Sequence, residues 1–227
     1  MRLAIIPARG GSKRIPRKNI KEFCGKPIIG WSIEAAIKCE CFDTILVSTD
    51  DEEIAEISLS YGAQCPFIRP SELSDDYTTT MDVVRHAIEW VCRREDKASE
   101  VCCLYPAAPF VSEKSLQQGL DILMETDSDF VIPVTTYAFP IQRAVLISSS
   151  NQVEMFNPDQ FNTRSQDLVE AYHDAGQFYW GKAAAWIEKE TIFSGVSTPL
   201  ILPRYEVQDI DTLEDWVYAE KMFNVRS

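Results

Sequence analysis

Five cations and two adjacent glycines crowd into one short stretch of this chain, where Ala8-Arg9-Gly10-Gly11-Ser12-Lys13-Arg14 is followed closely by Arg17-Lys18-Asn19. Such a combination suits a small polyanion. Adjacent glycines let the backbone take positive φ and turn its N–H groups inward, while Arg and Lys add charge-assisted hydrogen bonds. The spacing is not that of a Walker A loop, G-x-x-x-x-G-K-S/T, and the stretch holds no G-x-G-x-x-G, so the two commonest nucleotide loops are excluded. A second constellation, Asp209-Ile210-Asp211, lies near the other end. Alternate residues of an extended segment face the same way, so its two carboxylates can share a divalent cation such as Mg²⁺. The plainer alternative is that Asp211, with Thr212, caps the final helix. Asp50-Asp51 faces the same choice, and there capping is favoured. His173 lies in a dense polar run and is a candidate substrate contact, whereas His86 sits inside an amphipathic helix and reads as structural. No Ser or Cys is paired with a base, which disfavours a covalent hydrolase.

These groups need a scaffold that gathers them. Leu3 to Ile6 reads as a strand that breaks at Pro7, and Pro27 suits the first position of a helix whose apolar face runs from Ile28 to Ile37. Thr44 to Ser48 reads as a buried strand, followed by a helix that starts near Asp51 and ends at Gly62. Cys65 to Ile68 reads as another strand. The polar run Ser71 to Thr80 reads as a loop, with Thr79 or Thr80 capping the helix that carries Val83 to Val91. A strand from Val101 to Tyr105, a helix from Ser112 to Glu125 and a strand from Asp129 to Val134 follow. This alternation specifies an α/β fold with a mainly parallel central sheet flanked by helices. Ligands of such sheets bind beyond the carboxyl ends of the strands, where the phosphate loop, Asp50, Asp51, Arg69, Tyr105, Asp209 and Asp211 fall. Residues 135–172 break the rhythm. Short β-like pieces separated by turn signals predict an antiparallel β insertion there, after which come a strand at Gly176 to Trp180, a helix near Lys182 to Glu190, strands near Pro199 to Glu206 and a helix from Thr212 to Asn224. Residues 1–227 read as a single domain elaborated by that insertion.

The formal charge of −13 argues against binding nucleic acid or an anionic membrane, since both need a basic face. Within residues 8–26, however, seven cations face one acid, so positive charge is concentrated where a small anion would sit. The seven cysteines form no C-x-x-C and no zinc-ligand spacing, and reduced thiols are the expectation. No stretch approaches the ~20 apolar residues of a membrane span, and no signal sequence is evident, so the cytoplasm is the expected location.

Four segments together resemble the cytidylyltransferases that activate nonulosonic acids, the CMP-sialic acid synthetase family. IIPARGGSKRIPRKNI is similar to the family's opening motif, RPSELSDDYTTT to its second loop, RSQDLVEAYHDAG to a later motif and QDIDTLEDW to its closing acidic motif. The resemblance implies a Rossmann-like nucleotidyltransferase fold of the GT-A-like kind, with the β insertion used for dimerisation. It also implies that Ala8, Arg9, Gly10, Gly11, Ser12, Lys13, Lys18 and Asn19 bind the nucleotide, with Arg9, Ser12 and Lys13 on the CTP phosphates, and that Arg69 and Thr80 meet the cytosine and ribose. Arg164, Gln166 and Asp167 then border the sugar, Arg143 and Arg164 act across the subunits of a homodimer, and Asp209 and Asp211 hold Mg²⁺. Two departures fall in sugar-bordering segments. Leu104-Tyr105-Pro106-Ala107-Ala108-Pro109 stands where sialic acid enzymes read L-Q-P-T-S-P, and Asp174-Ala175-Gly176-Gln177-Phe178-Tyr179-Trp180 stands where they read N-G-x-I-Y. Both resemble the branch that acts on pseudaminic acid, which adds Tyr105, Asp174 and Gln177 to the implied sugar contacts.

The implied reaction is attack of the sugar's anomeric hydroxyl on the α-phosphorus of CTP, with loss of pyrophosphate. Arg9, Lys13 and Asp211 would carry the catalysis, which is mostly electrostatic. The rivals are the same reaction on legionaminic or N-acetylneuraminic acid, a kinase-like phosphotransferase, which the missing Walker A disfavours, and a non-catalytic nucleotide-binding module.

Overall fold

The computed structural model describes residues 1–94, 97–193 and 196–226. Strand β1 (Arg2–Pro7) is an interior strand of the sheet, and Leu3, Ala4, Ile5 and Ile6 are completely buried. Burial on both faces is what a continuous apolar run predicts for a parallel strand covered by helices. The phosphate loop follows, then a small hairpin of β2 (Glu22–Phe23) and β3 (Lys26–Pro27) that leads into α1 (Ile28–Cys39). Next come β4 (Thr44–Ser48), α2 (Glu52–Ser60), α3 (Thr80–Cys92), β5 (Glu100–Leu104), α4 (Glu113–Glu125) and β6 (Phe130–Thr136). Their starts are set by side-chain caps. Asp51 accepts from the N–H of Ile54, Thr79 forms a reciprocal capping box with Asp82, and Ser112 forms one with Ser115.

The insertion holds the isolated hairpin β7 (Val145–Ile147) and β8 (Val153–Met155), and the chain re-enters the sheet through β9 (Tyr172–Asp174) and β10 (Phe178–Lys182). The chain closes with α5 (Ala183–Glu188), β11 (Ser197–Ile201) and α6 (Leu213–Arg226). The sheet order is β11-β6-β10-β5-β1-β4, with β9 also paired to β6. The pairs β1 with β4, β1 with β5 and β6 with β11 are parallel; β10 runs antiparallel to both β5 and β6. Both β9 and β10 pair with β6, but the register slips between them and Ala175-Gly176-Gln177 leave the ladder. Gly176 takes a φ of +62° at this excursion, a conformation that favours glycine.

Three expectations are corrected. Cys65 to Ile68 makes no strand, only isolated bridges from Gln64 to Leu46 and from Ile68 to Thr49. Pro66 supplies no N–H there, so a ladder cannot continue through it. Residues beyond Ile201 leave the last strand, and a short 3-10 turn at Arg204–Glu206 follows Pro203. Cys39 and Cys41, expected as thiols, are joined as a disulfide at the end of α1, while the other cysteines are free.

One face of the sheet packs against α1, α2 and α4, the other against α3 and α5. A third apolar cluster lies where the ends of the chain meet. Ile15 of the phosphate loop and Ile210 of the acidic segment, each about 1% exposed, pack there with Phe23, Phe110 and Trp216 of α6. Burial of these two isoleucines is worth several kcal/mol by area, on the order of 2 each, and it draws the basic loop to the two aspartates. Among the described residues, no helix is long and apolar enough to cross a membrane.

Candidate active site

A cleft of about 680 Å³ opens beyond the carboxyl ends of β1 and β5. Arg9, Ser12, Lys13, Lys18 and Asn19 line it together with Arg69, Thr80, Asp209 and Asp211; Gly176 lies against Asp209, and Tyr105 lines it beside Thr80. Residues separated by most of the chain length thus meet in one place.

The loop is built differently from its glycine-based expectation. Positive φ occurs at Arg17, at +56°, and neither Gly10 nor Gly11 uses it. Gly10 is required for another reason: a Cβ there would stand 2.6 Å from Asp51 Oδ2. Its N–H donates to Asp50 Oδ1 at 2.9 Å, so this amide is occupied by the protein itself. Ala8 is fully buried and its N–H reaches the Ser48 carbonyl, which anchors the loop to β4. Asn19, also buried, donates to the Arg9 carbonyl at 2.9 Å and braces the loop from behind.

Every cation of the loop has an acidic partner. Arg9 and Lys13 bind Asp76, Arg14 binds Asp211 at 2.8 Å, and Arg17 binds Asp51 and Glu53. Lys18 donates to the Ile210 carbonyl at 2.7 Å and lies 3.5 Å from Asp211. Hydrogen bonding from Arg17 holds the Asp51 carboxyl below the ordinary carboxylate range, and Asp51 in turn pushes the Arg17 guanidinium up. Arg69 is about 4% exposed; it donates to Ser74 Oγ and the Ser48 carbonyl and faces Asp50 at 3.9 Å. Burial pulls its pKa down, with Asp50 opposing.

The cap of α6 is supplied by the neighbours of Asp211. Thr212 and Asp215 cap α6 reciprocally: Asp215 Oδ2 accepts from the N–H of Thr212 at 2.8 Å, and Thr212 Oγ1 accepts from the N–H of Asp215. The Asp211 side chain is left facing Arg14 and Lys18 in the cleft. Burial, followed by repulsion from Asp211, raises the Asp209 carboxyl above its usual range. No group of three or more His, Cys, Asp or Glu among the described residues forms a closed metal cage. Two oxygen donors beside a polyanion site match the chemistry of Mg²⁺, which takes one or two carboxylates and completes its shell with water and phosphate.

The part of the cleft lined by Tyr105 is aromatic. Tyr105 stands edge-on to Tyr179, ring centroids 5.5 Å apart, and its hydroxyl lies 3.5 Å from Thr80 Oγ1. Burial raises the pKa of both tyrosines. Tyr179, about 4% exposed, donates to Asp174 Oδ2, whose other oxygen accepts from the N–H of Gly176 at 2.8 Å. Neither Asp174 nor Tyr179 lines the cleft; they hold residues that do. Gln177 is buried, its amide donating to the Glu206 carbonyl, and its own carbonyl accepts from the N–H of Tyr105.

The insertion residues lie apart from the cleft of their own chain. Arg143 donates to the Thr163 carbonyl at 2.6 Å, Arg164 pairs with Asp167 at 2.7 Å, and Gln166 is exposed. Gly11 is likewise outside the lining, with open space around it. His173 bonds the Asp174 carbonyl and packs on Tyr137, and His86 packs on Phe67. Two participants, Asp76 and Tyr179, carried sequence signals that went unused: an acidic pair in a loop opposite a basic one, and a second tyrosine in the segment that departs from the sialic acid pattern.

The cytidylyltransferase family model matches residues 3–220. The chain is 47% identical over 223 residues to the pseudaminic acid cytidylyltransferase of Campylobacter jejuni subsp. jejuni serotype O:2, covering 98% of this chain and 96% of that protein. It is 31% identical to the CMP-N,N'-diacetyllegionaminic acid synthase of Legionella pneumophila subsp. pneumophila, covering 98% and 96%. Among solved structures, a CMP:2-keto-3-deoxy-manno-octonic acid synthetase complexed with CTP aligns with a TM-score of 0.73 at 15% identity, over 100% of this chain and 99% of that one, which shows a shared fold. Basic loop, paired aspartates and α/β scaffold agree with the match along the whole chain: this protein belongs to the cytidylyltransferase family.

Proposed function

We propose that the protein transfers CMP from CTP to the anomeric hydroxyl of pseudaminic acid and releases pyrophosphate. The observation that carries this reading is the convergence of Arg9, Lys13, Asp209 and Asp211 on one cleft in a chain 47% identical to a pseudaminic acid cytidylyltransferase. Arg9 and Lys13 would receive the negative charge that develops on the leaving pyrophosphate, a role for preset cations rather than for a covalent nucleophile. Asp209 and Asp211 would hold Mg²⁺, which supplies Lewis-acid neutralisation and orientation of the triphosphate. Arg69 and Thr80 face the nucleoside, and Tyr105, held by Tyr179 and Asp174, borders the sugar.

The same reading includes a homodimer working in the cytoplasm. The hairpin of β7 and β8 exposes Val145, Ile147 and Val153, each more than half accessible, with Phe139 and Phe156 nearby in the same insertion. An apolar surface of this kind on a two-stranded hairpin fits a protein partner, and a second copy would let Arg143 and Arg164 reach the neighbouring cleft. Sedimentation analysis giving a monomer at micromolar concentration would remove that part.

Pyrophosphate release from CTP and Mg²⁺, measured over a panel of pseudaminic, legionaminic, N-acetylneuraminic and ketodeoxyoctonic acids, tests the reaction and the sugar together. Turnover is expected to be highest with pseudaminic acid. Turnover highest with another acid would reassign the sugar, and no pyrophosphate with any acid would favour a binding module.

A further inference from the structure

Arg9 and Lys13, the cations proposed to meet the phosphates, share one internal carboxylate. Arg9 Nη1 donates to Asp76 Oδ1 at 2.9 Å and to the Asp75 carbonyl at 3.1 Å, while Lys13 Nζ binds the other Asp76 oxygen. The bridge comes from a loop that is tied down on both sides. Asp75 Oδ1 accepts from the N–H of Tyr77, the N–H of Thr78 and the Thr78 hydroxyl, closing a tight turn around Asp76. Upstream, Ser74 Oγ accepts from Arg69 Nε and donates to the Pro70 carbonyl; downstream, the Thr79–Asp82 box starts α3. The loop that offers the carboxylate therefore runs between Arg69 and Thr80, two residues that line the same cleft. Asp76 itself remains accessible, its side chain 43% exposed, so an incoming anion can reach the bridge.

We propose that Asp76 is a built-in occupant of the anion site which a nucleotide displaces, so that it sets how much negative charge a ligand must bring to be held. The inference rests on the reading of the cleft as a nucleotide site. Binding becomes an exchange. A triphosphate or pyrophosphate offers several charged oxygens for the one carboxylate it replaces, whereas a monophosphate offers little advantage over it. Asp76 thereby imposes one displacement cost on every anion that takes its place, which a triphosphate outweighs, and it keeps Arg9 and Lys13 from collecting weaker anions. The hydrogen bonds from Lys13 and Arg9 also hold the Asp76 carboxyl below its usual range, which favours its charged form.

Calorimetric titration of CTP, CMP and inorganic pyrophosphate, in the absence of sugar, into the full-length protein and its D76N and D75N variants tests this. D76N is expected to bind pyrophosphate and CTP about three- to tenfold more tightly, the scale of one or two exposed charge contacts removed as competitors. CMP is expected to gain no more than CTP does, because the displacement cost that is removed is common to every ligand that reaches Arg9 and Lys13. D75N removes the same charge from the same loop but not the bridge, and its affinities are expected to stay within about twofold of wild type. Unchanged or weaker pyrophosphate binding by D76N, or an equal gain in D75N, would overturn the proposal while leaving the nucleotide reading intact. If neither CTP nor pyrophosphate binds the wild-type protein, both fall.

Discussion

Two parts of the cleft are held by different physics. At the basic end, proposed to take the phosphates, the side chains are exposed, Lys13 by 75% and Arg14 by 66%, and each is kept in place by a carboxylate that an anionic ligand can replace. At the other end Tyr105 rests on Tyr179, which is buried and fixed by Asp174 through a hydrogen bond that no ligand reaches. Charges in water exchange partners cheaply, whereas a buried hydrogen-bonded pair does not. The first end is therefore suited to gripping and releasing a polyphosphate, and the second to presenting a fixed shape. Changes at the first should appear in chemistry and nucleotide affinity; changes at the second should appear in which sugar fits.

The strongest break of this comparison is Asp211→Ala. Loss of one of two carboxylates that would hold the metal is expected to lower turnover by about a thousandfold or more, by analogy with the loss of a central electrostatic group. The fold should be unaffected, because Thr212 and Asp215, not Asp211, cap α6. Pyrophosphate release and a thermal melt check the two halves of the statement: activity above about a tenth of wild type would take Asp211 out of the reaction. A smaller effect is expected from Tyr179→Phe. Removing the hydroxyl leaves Asp174 Oδ2 without its donor and loosens Tyr105, so kcat/KM for the sugar should fall about tenfold while KM for CTP stays within about twofold. If the CTP constant moved as far as the sugar's, the two ends would not be independent and the comparison would fail.

The sequence made the phosphate end legible because charge can be read without a structure. Arg9, Lys13, Lys18 and the Asp209/Asp211 pair are conspicuous by type, and strand-end positions follow from the α/β alternation. What could not be read was who holds whom. Arg17 looked like a ligand for phosphate, yet it is committed to Asp51 and Glu53, and Gly10 is small to admit Asp51 rather than to take positive φ. Pairings of this kind join residues dozens of positions apart, and no periodicity encodes them. The tyrosine end was legible only as a departure from a family pattern. That Asp174 works through Tyr179, and that β10 runs antiparallel with Gly176 thrown out into the cleft, depends on a register slip against β6 that local propensity cannot announce.

The finest test separates the cations that serve the ligand from the one that serves the fold. Asp51→Asn keeps a good helix cap, since Asn accepts from the N–H of Ile54 as Asp does, but it removes the charge that Arg17 grips. Because Arg17 is 40% exposed and solvent screens the pair, the cost in unfolding free energy should be modest, about 0.5–1 kcal/mol near neutral pH. The sign of its pH dependence follows from the lowered pKa of Asp51 in the fold. A carboxyl whose folded pKa lies below its unfolded value, ~3.9, contributes fully above that value and loses its contribution as pH falls through the folded pKa. The stability difference between wild type and D51N, measured by urea unfolding, should therefore be flat from about pH 7 down to about pH 5 and shrink toward zero below about pH 4. Pyrophosphate affinity should change less than twofold in this variant, because Arg17 is held by the fold and absent from the cleft lining. A larger change in either direction would mean that Arg17 contributes to the anion site after all, and that the loop's cations do not divide into those that serve the ligand and one that serves the fold.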